Sequence, residues 1–422
     1  MTRAALLIVG SEMLDPRRAD ANGPLARERL AELGIPLSAI VRLEDRAETI
    51  AAALGAALAT ADIVLLSGGL GPTGDDLTRE GVARALGRGV RLDAGWLVEL
   101  ERRLVARGRA MSDHSRRQAH VVEGGVAIAN GRGLACGTLL ETDGKLIALL
   151  PGVPPEFAQM LEDGVLPRVA ARFPDRPATR LVRAVAAGLP EAAAEPVLAP
   201  WYRRPGVAVS ILPSLGVLNI TFTLTAAAVE ELDDLEKEVR AHLAHGLAEH
   251  LVSLDGTSLP EAVGGRLLAR GLSLAVAESC SGGRLAQRIV SVPGASRYFR
   301  GGIVAYSNEA KVRLLGVPPD LIERCGAVSE PVALAMMRGA RERLDAACAL
   351  SITGIAGPGG ATPTKPVGLV FLAVGVPGHE AVRSIHYPLD RESVAALASH
   401  TALYQLWQAL GLPPHGASRK DD

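Results

Sequence analysis

Short apolar runs alternate with helical patterns along about the first 170 residues, and this alternation constrains the fold more than any other feature. Buried strands are indicated by AALLIVG at 4–10, DIVLLS at 62–67 and KLIALL at 145–150, and a helix by DDLTREGVARALG at 75–87. Strands that alternate with helices in this way form a parallel sheet with helices on both faces. The sequence therefore predicts an α/β fold that begins with a doubly wound parallel sheet.

The remainder of the chain divides into two further segments. After a compositional break at 173–180, the patterns of a strand, a helix, two strands and a charged helix predict a small α+β module. A capped helix and the strand LSLAVAES then open a C-terminal α/β domain. We therefore expect domains at 1–173, 178–254 and 256–413, followed by a disordered tail at 414–422.

Composition excludes several classes of protein. The 45 basic and 46 acidic residues leave a net charge of −1, which argues against a general binder of nucleic acid or of anionic membranes. Four widely spaced cysteines without a CxxC pair give neither a disulfide framework nor a thiolate zinc site. No apolar run approaches the roughly 18 residues that cross a bilayer. We expect a soluble cytoplasmic protein with no membrane partner and no direct contact with nucleic acid.

Lysine is scarce in this arginine-rich chain. Only five of the 45 basic residues are lysine, namely Lys145, Lys237, Lys311, Lys365 and Lys420. A lysine can lose its proton inside a protein, whereas an arginine cannot. Positions that retain lysine are therefore candidates for proton chemistry.

Three C-terminal segments carry residues suited to nucleophilic chemistry. Ser279 and Cys280 follow a strand at the start of a small-residue turn and a helix, where free N–H groups can stabilise an anion. Tyr306, Asn308 and Lys311 lie on a second strand-to-helix connection. The third segment, SITGIAGPGGATPTKPVG (351–368), is a strand that leads into a glycine-rich loop, which lets the backbone approach a ligand closely.

A serine nucleophile needs a base, and the three segments contain no histidine. A lysine with a lowered pKa is the alternative, which favours a Ser279–Lys311 pair. Structural interpretations stay open: the Gly-Gly pair as a tight turn, Tyr306 as a core aromatic residue and Lys311 as a solvated charge. Cys280 is a competing nucleophile, although the lack of a neighbouring His or Asp favours a buried small residue.

A glycine-rich loop with two acidic residues follows the predicted strand at 62–67. SGGLGPTGDDLT (67–78) can bind phosphate oxygens through backbone amides while an aspartate holds a divalent cation. It has neither the Gly-Lys-Ser/Thr of a Walker A loop nor the Rossmann fingerprint. The alternative interpretation is a tight turn with Asp75 and Asp76 in the first turn of the following helix.

The C-terminal motifs resemble those of the competence/damage-inducible CinA family. The resemblance rests on ESCSGG, PGASRYFRGGIVAYSNEAK, GAVSEPVA, TGIAGPGG and KPVG, in that order. It implies hydrolysis of nicotinamide mononucleotide to nicotinate mononucleotide and ammonia, with no cofactor. By this resemblance Ser279 is the nucleophile, Lys311 its base and Tyr306 a positioning or relay group, while N–H groups near Gly282 and Gly283 stabilise the oxyanion. The implied substrate-binding residues are Cys280, Ser281, Gly282, Gly283, Asn308, Thr353, Gly354, Gly357, Gly359 and Gly360.

The N-terminal motifs GSE (10–12), SGGLGPTGDDLT (67–78), RQA (117–119) and LPGVPPE (150–156), with Asn22 and Asp45, resemble the molybdopterin-binding-like domain of the same family, which is related to MogA and MoaB. The resemblance implies a metal-dependent ADP-ribose pyrophosphatase that uses a divalent cation, with Asp75 as the metal-ligand candidate. The implied phosphate and nucleotide pocket consists of Glu12, Asn22, Asp45, Gly68, Gly69, Gly71, Asp76 and Asn130. Departures from the family pattern, such as Ala21 in the usual Thr-Asn pair and Cys136 in the usual GTAPG, cluster around this pocket.

Two functional hypotheses follow. The first is a hydrolase of pyridine nucleotide salvage whose partners are small nucleotides, nicotinamide mononucleotide and ADP-ribose. The alternative is a nucleotide- or pterin-binding protein without robust catalysis, acting in a competence or DNA-damage context. The resemblance also implies a homodimer.

Overall fold

The computed structural model describes residues 2–411, which form two compact units. The first contains residues 2–181 and 223–233, and the second contains residues 182–222 and 234–411. Most of the 178–254 segment therefore belongs to the second unit, and the three-domain division stays a prediction. The tail expected at 414–422 lies outside the described residues.

A six-stranded sheet of order β2-β1-β3-β8-β7-β6 organises the first unit. Its strands are β1 (Ala4–Val9), β2 (Leu37–Leu43), β3 (Ile63–Ser67), β6 (Val126–Ile128), β7 (Gly137–Thr142) and β8 (Lys145–Leu150), while β4 (Val90–Leu92) and β5 (His120–Val122) form a separate antiparallel pair. Strands β2, β1, β3 and β8 are parallel, as predicted. Strands β6 and β7 are antiparallel to their neighbours, because a hairpin at Asp143–Gly144 reverses the chain between β7 and β8.

Helices cover both faces of this sheet. They are α1 (Asn22–Glu32), α2 (Ala47–Thr60), α3 (Thr78–Leu86), α4 (Ala94–Ala106), α5 (Asp113–Arg116), α6 (Pro154–Met160) and α7 (Leu166–Arg172). A hydrophobic core lies on each face of the sheet, and alternate residues of β1 pack into opposite cores. Leu6 packs with α1, α6 and α7, whereas Leu7 packs with α2 and α3. This two-sided burial explains why β1 is apolar throughout.

The helix predicted at 75–87 begins three residues later, at Thr78. Asp75 and Asp76 therefore lie in the loop before α3 and not in its first turn. The Asp76 carboxylate accepts a hydrogen bond from the N–H of Thr73 at 2.8 Å and another from the Thr73 hydroxyl. These bonds stabilise a turn that competes with the helix for the same residues.

A four-stranded sheet of order β10-β11-β9-β12 follows. Its elements are β9 (Ala178–Ala187), α8 (Glu191–Leu198), β10 (Val207–Ser214), β11 (Val217–Ala226), α9 (Val229–Leu247) and β12 (Leu251–Ser253). The sequence predicts this order of strands and helices except for the short β12, which pairs antiparallel with β9.

The C-terminal part contains a five-stranded sheet of order β14-β13-β15-β16-β17. Its strands are β13 (Leu274–Glu278), β14 (Phe299–Val304), β15 (Cys348–Gly354), β16 (Leu369–Val376) and β17 (His379–His386). Its helices are α10 (Leu259–Ala269), α11 (Arg284–Val290), α12 (Asn308–Leu315), α13 (Pro319–Cys325), α14 (Glu330–Arg343) and α15 (Arg391–Ala409). Strands β14, β13 and β15 are parallel, and β16 and β17 are antiparallel to their neighbours.

Both faces of this second α/β sheet are covered as well. Leu274 and Val276 of β13 pack with α10, α11 and α15, whereas Ala275 and Ala277 pack with α12, α13 and α14. The carboxyl ends of the three parallel strands consequently meet at one edge of the sheet. No helix within residues 2–411 is long and apolar enough to cross a membrane.

Candidate active site

The carboxyl ends of β13, β14 and β15 bring the predicted C-terminal residues together. Ser279 directly follows β13, Lys311 lies on α12 after β14, and Thr353 lies near the end of β15. Ligand sites in parallel sheets form at this edge, because the loops and helix N-termini that follow the strands converge there.

Ser279 and Lys311 form a buried pair. Lys311 Nζ donates a hydrogen bond to Ser279 Oγ at 3.0 Å and another to the main-chain carbonyl of Tyr306 at 3.1 Å. The two residues are 7% and 2% exposed. Burial disfavours the ammonium form and lowers the pKa of Lys311 below its ordinary value of 10.5. A neutral Lys311 at this distance can accept the hydroxyl proton of Ser279.

Glu278, the residue before Ser279, caps the N-terminus of α11. The fully buried Glu278 carboxylate accepts hydrogen bonds from the N–H groups of Gly283 at 3.0 Å, Leu285 at 3.1 Å and Ala286 at 2.8 Å. The N–H of Gly282 donates to the carbonyl of Ser279 at 3.2 Å. The N–H groups of Gly282 and Gly283 are therefore engaged within the chain, which corrects their expected role as oxyanion donors.

Two other main-chain donors lie next to Ser279. Within residues 2–411, the main-chain N–H groups of Cys280 and Ser281 have no hydrogen-bond partner. Cys280 lines the pocket beside Ser279, and so its N–H can donate to an oxyanion. Burial raises the pKa of the Cys280 thiol to about 12, which keeps it protonated and argues against Cys280 as the nucleophile.

Tyr306 contacts an arginine that the sequence motifs do not include. Arg391, the first residue of α15, donates from Nη2 to the Tyr306 hydroxyl and from Nη1 to the carbonyl of Gly357, both at 2.7 Å. The Tyr306 hydroxyl thus bonds Arg391, and only its main-chain carbonyl contacts Lys311. The exposed Tyr306 ring is accordingly placed to position Arg391 and not to relay a proton to Lys311.

These side chains surround a pocket of about 250 Å³. The predicted residues that line it are Ser279, Cys280, Tyr306, Asn308, Lys311, Thr353, Gly354, Gly357, Gly359 and Gly360. Ser281, Gly282 and Gly283, which were expected to bind substrate, do not line it. Sequence reasoning did not name Arg391, which lies at the start of α15 outside the quoted motifs. It did not name Ala327 and Val328 either, because these apolar residues of the GAVSEPVA motif carry no reactive side chain.

A larger cavity of about 780 Å³ lies at the carboxyl edge of the N-terminal sheet. The predicted residues that line it are Glu12, Asn22, Asp45, Gly68, Gly69, Gly71, Asp75 and Asp76. Asn130 does not line it. Its buried amide donates to Ala135 O at 2.9 Å and Glu156 Oε2 at 2.7 Å, and its Oδ1 accepts from the N–H of Gly133 at 2.7 Å. Asn130 therefore shapes the loop beside the cavity.

The carboxylates of this cavity do not fit a resident divalent metal. Within residues 2–411, no group of three or more His, Cys, Asp and Glu side chains is placed to hold an ion. Asp45 accepts a hydrogen bond from the N–H of Ser11 at 2.6 Å, and Asp76 accepts from Thr73. These carboxylates accept hydrogen bonds from loops of the protein, and so they lack the set of free oxygen ligands that an all-protein cation site needs.

The same cavity presents unpaired cations and one unpaired acceptor. Arg18, Arg107 and Arg132 line it and form no ion pair within the described part of the chain. Asn22, only 5% exposed, donates from Nδ2 to Ser67 Oγ at 2.8 Å and to Gly152 O at 3.0 Å, and its Oδ1 has no partner. The cavity is therefore suited to a ligand that carries both an anion and an N–H or O–H donor.

Two family models match the chain. The CinA C-terminal domain matches residues 256–410, and a probable molybdopterin binding domain matches residues 5–171. A CinA-like protein of Acidobacterium capsulatum is 39% identical over 95% of this chain and 98% of its own length. The chain belongs to the CinA family. A CinA-like protein of Chlorobium phaeovibrioides is 38% identical over 97% of this chain and 98% of its own length.

A solved structure of a CinA superfamily protein from Escherichia coli is also similar. It is 38% identical, covers 36% of this chain and 89% of its own, and has a TM-score of 0.36. The match to the CinA C-terminal domain contains the Ser279–Lys311 pair and Arg391, and the molybdopterin-type match contains the larger cavity. The two candidate sites of this CinA-family chain thus fall within separate family regions.

Proposed function

We propose that this CinA-family chain hydrolyses the carboxamide of nicotinamide mononucleotide to nicotinate mononucleotide and ammonia. The observation that carries the proposal is the buried contact of 3.0 Å between Ser279 Oγ and Lys311 Nζ, together with the lowered pKa of Lys311. A serine that is activated by a neutral amine can attack an amide carbonyl at neutral pH.

In the first half-reaction, neutral Lys311 removes the hydroxyl proton as Ser279 Oγ bonds to the carboxamide carbon. The oxyanion of the tetrahedral intermediate accepts a hydrogen bond from the N–H of Cys280. The intermediate collapses when its C–N bond breaks and the Lys311 ammonium protonates the leaving nitrogen. Ammonia departs, and the acyl group of nicotinate mononucleotide, with its ribose phosphate, remains as an ester of Ser279.

In the second half-reaction, Lys311 takes a proton from water as the water oxygen attacks the ester carbon. The C–O bond to Ser279 then breaks, and Lys311 returns the proton to Ser279 Oγ. The carboxylic acid product ionises to nicotinate mononucleotide. One water is consumed for each amide, and the serine and the neutral lysine are regenerated.

The phosphate of the substrate needs a separate cation. Arg391 is suited to this role, because it lines the pocket and Tyr306 and Gly357 fix its guanidinium while other donors remain. The neighbouring glycines 357, 359 and 360 allow main chain to approach the ribose phosphate closely. We assign substrate binding to this group and bond cleavage to Ser279 and Lys311.

Ammonia release from nicotinamide mononucleotide by the full chain, with a chelator present, tests the proposal. Ser279→Ala and Lys311→Met are expected to lower the rate by at least about 1,000-fold. Ser291→Ala and Lys237→Met are matched controls, because both side chains are exposed and lie outside the pocket. Trapping of the nicotinate mononucleotide ester on Ser279 by rapid quench and mass spectrometry adds a direct readout. A folded wild-type chain that releases no ammonia overturns the assignment.

A second candidate function concerns the N-terminal cavity, which we propose binds an anionic nucleotide such as ADP-ribose. Three arginines without an ion pair and the buried Asn22 acceptor support it.

Calorimetry with ADP-ribose, with and without Mg²⁺, tests binding, and chromatography for AMP tests hydrolysis. Arg132→Gln is expected to weaken binding, whereas Arg109→Gln, outside the cavity, is not. Binding without AMP favours a binding domain, AMP release favours a pyrophosphatase, and no binding overturns both.

A further inference from the structure

The glycine-rich loop between β15 and β16 forms one wall of the Ser279 pocket. Its ends are closed by two main-chain hydrogen bonds, from Ile355 N to Leu369 O at 2.9 Å and from Gly368 N to Ile355 O at 2.7 Å. Between these ends, the residues at 361–364 are exposed and contribute no buried side chain. The loop therefore needs a contact near its tip to hold one position.

The connection between α13 and α14 forms another wall. Ala327 and Val328 line the pocket there. Thr353 Oγ1 donates to the carbonyl of Ala327 at 2.9 Å, and Ser329 Oγ donates to the carbonyl of Gly326 at 2.8 Å. These bonds fix the α13–α14 connection to β15 and to the start of α14. The connection is therefore a firm support for the exposed loop beside it.

Lys365 joins the two walls. Its Nζ donates to the carbonyl of Cys325, the last residue of α13, at 2.6 Å. Its main chain is held in a tight turn by Thr362, with Thr362 N to Lys365 O at 2.9 Å and Lys365 N to Thr362 Oγ1 at 3.1 Å. Lys365 is half-buried while its neighbours at 361–364 are exposed. The ammonium also lies where the dipole of α13 favours a positive charge.

Gly326 leaves room for the hydrogen bond between the Lys365 ammonium and the Cys325 carbonyl. Gly326 has a φ of +74°, and a Cβ added there would lie 2.7 Å from Lys365 Nζ. Glycine therefore permits both the backbone conformation and the close approach. A guanidinium is larger than an ammonium and would need more space at the same carbonyl.

We propose that Lys365 is a positioning residue that holds the glycine-rich loop against the α13–α14 connection and so sets the width of the substrate pocket. The expected effect on substrate binding rests on the proposed function, whereas the contact between the loop and the α13–α14 connection does not depend on it. A loop that is ordered before substrate arrives adds no ordering cost to binding. Loss of the contact is therefore expected to weaken substrate binding and to leave the Ser279–Lys311 chemistry intact.

Steady-state kinetics with nicotinamide mononucleotide provide the first test. Lys365→Met is expected to raise KM about tenfold, the worth of one charged hydrogen bond, with kcat changed less than about twofold. Lys237→Met is the matched control, since Lys237 pairs with Asp234 on the surface of α9. Gly326→Ala is expected to raise KM similarly, and the double variant is expected to be no worse than either single variant. A fall in kcat alone, or fully additive effects, contradicts the proposal.

Hydrogen exchange of the full chain gives a readout that needs no activity. Main-chain amides at 357–364 are expected to exchange at least about tenfold faster in Lys365→Met than in Lys237→Met, while the amides of β13 and β15 keep their protection. Unchanged exchange at 357–364 overturns the role of Lys365. Faster exchange in a chain that never releases ammonia supports the role of Lys365 and overturns the proposed function instead.

Discussion

Arg391 and Tyr306 lie 85 residues apart in the sequence, yet Arg391 Nη2 donates a hydrogen bond of 2.7 Å to the Tyr306 hydroxyl. The bond joins the start of α15 to the end of β14 across the mouth of the pocket. It fixes a cation in the pocket that Ser279 also lines, and no other arginine lines this pocket within residues 2–411. Under the proposed function, we therefore expect substrate affinity and amide chemistry to depend on different residues.

Replacement of Arg391 is expected to impair binding selectively. In Arg391→Lys the ammonium cannot hold Tyr306 and Gly357 at once, and so we expect KM for nicotinamide mononucleotide to rise about tenfold or more with a smaller change in kcat. Steady-state ammonia release measures both constants. Arg284→Lys is the control, because Arg284 forms a surface ion pair with Glu392 near the same helix end. Equal losses in both variants would refute a specific role for Arg391.

The pH dependence of turnover is expected to report Lys311. Its pKa is lowered from 10.5 by burial, and only the neutral amine accepts the Ser279 proton. We therefore expect kcat/KM to rise with pH through the lowered pKa of Lys311 and to level off above it. A profile from about pH 5 to pH 10 checks this. A falling limb over the whole range would be inconsistent with a lysine base.

Replacement of the same lysine is expected to stabilise the fold at low pH. The pKa of Lys311 is lower in the folded chain than in the unfolded chain, so the unfolded chain binds a proton on Lys311 more tightly. At pH values below the folded-state pKa, each unit of this difference lowers the free energy of unfolding by about 1.4 kcal/mol. This cost declines as pH rises toward 10.5. Lys311→Met should therefore resist urea better than wild type at pH 6, with a smaller advantage at pH 10. Urea titrations at both values test it, and a pH-independent difference argues against the mechanism.

Glu278→Gln is expected to destabilise the C-terminal unit. The Glu278 carboxylate accepts three main-chain hydrogen bonds at the start of α11, and an amide cannot accept from all three. We expect a loss of about 3 kcal/mol and a lower kcat, since Ser279 is the adjacent residue. Urea unfolding and ammonia release measure the two effects. Glu261→Gln on α10 should cost less than about 1 kcal/mol and leave kcat unchanged, because glutamine also completes a capping box with Ser258.

The sequence predicts most of the scaffold because its apolar runs and glycine-rich turns are local signals. The parallel strands β1, β3, β8 and β13 fall where those runs lie. The antiparallel pairing of β6 and β7 was not predicted. It depends on the Asp143–Gly144 turn, where both residues have positive φ and the chain reverses. The start of α3 was misplaced because Thr73 and Asp76 form a side-chain turn that helix propensity does not register.

The sequence predicted the residues of the site that belong to strand-to-helix motifs with reactive side chains. Ser279 and Lys311 lie on adjacent strand-to-helix connections within the quoted motifs, whereas Arg391 lies outside the motifs at the start of α15. Ala327 and Val328 lie within the GAVSEPVA motif, but only the fold shows that they line the pocket. The hypothesis that retained lysines serve proton chemistry stays a prediction for Lys311, whereas Lys145 and Lys365 have structural contacts instead. Lys145 Nζ donates to Ala61 O at 2.9 Å at the end of α2, and Lys365 Nζ to Cys325 O at the end of α13. At those positions a compact ammonium satisfies helix carbonyls.

The placement of Ser279 and Lys311 on neighbouring strand-to-helix connections has a consequence for the order in which the site assembles. The pair spans 32 residues, but Arg391, which we propose binds the phosphate, arrives only when α15 packs against the sheet. During refolding, reactivity toward a small activated ester, which needs no phosphate contact, should return as soon as β13, β14 and α12 are in place. Recognition of the nucleotide should return later, with the last helix of the domain.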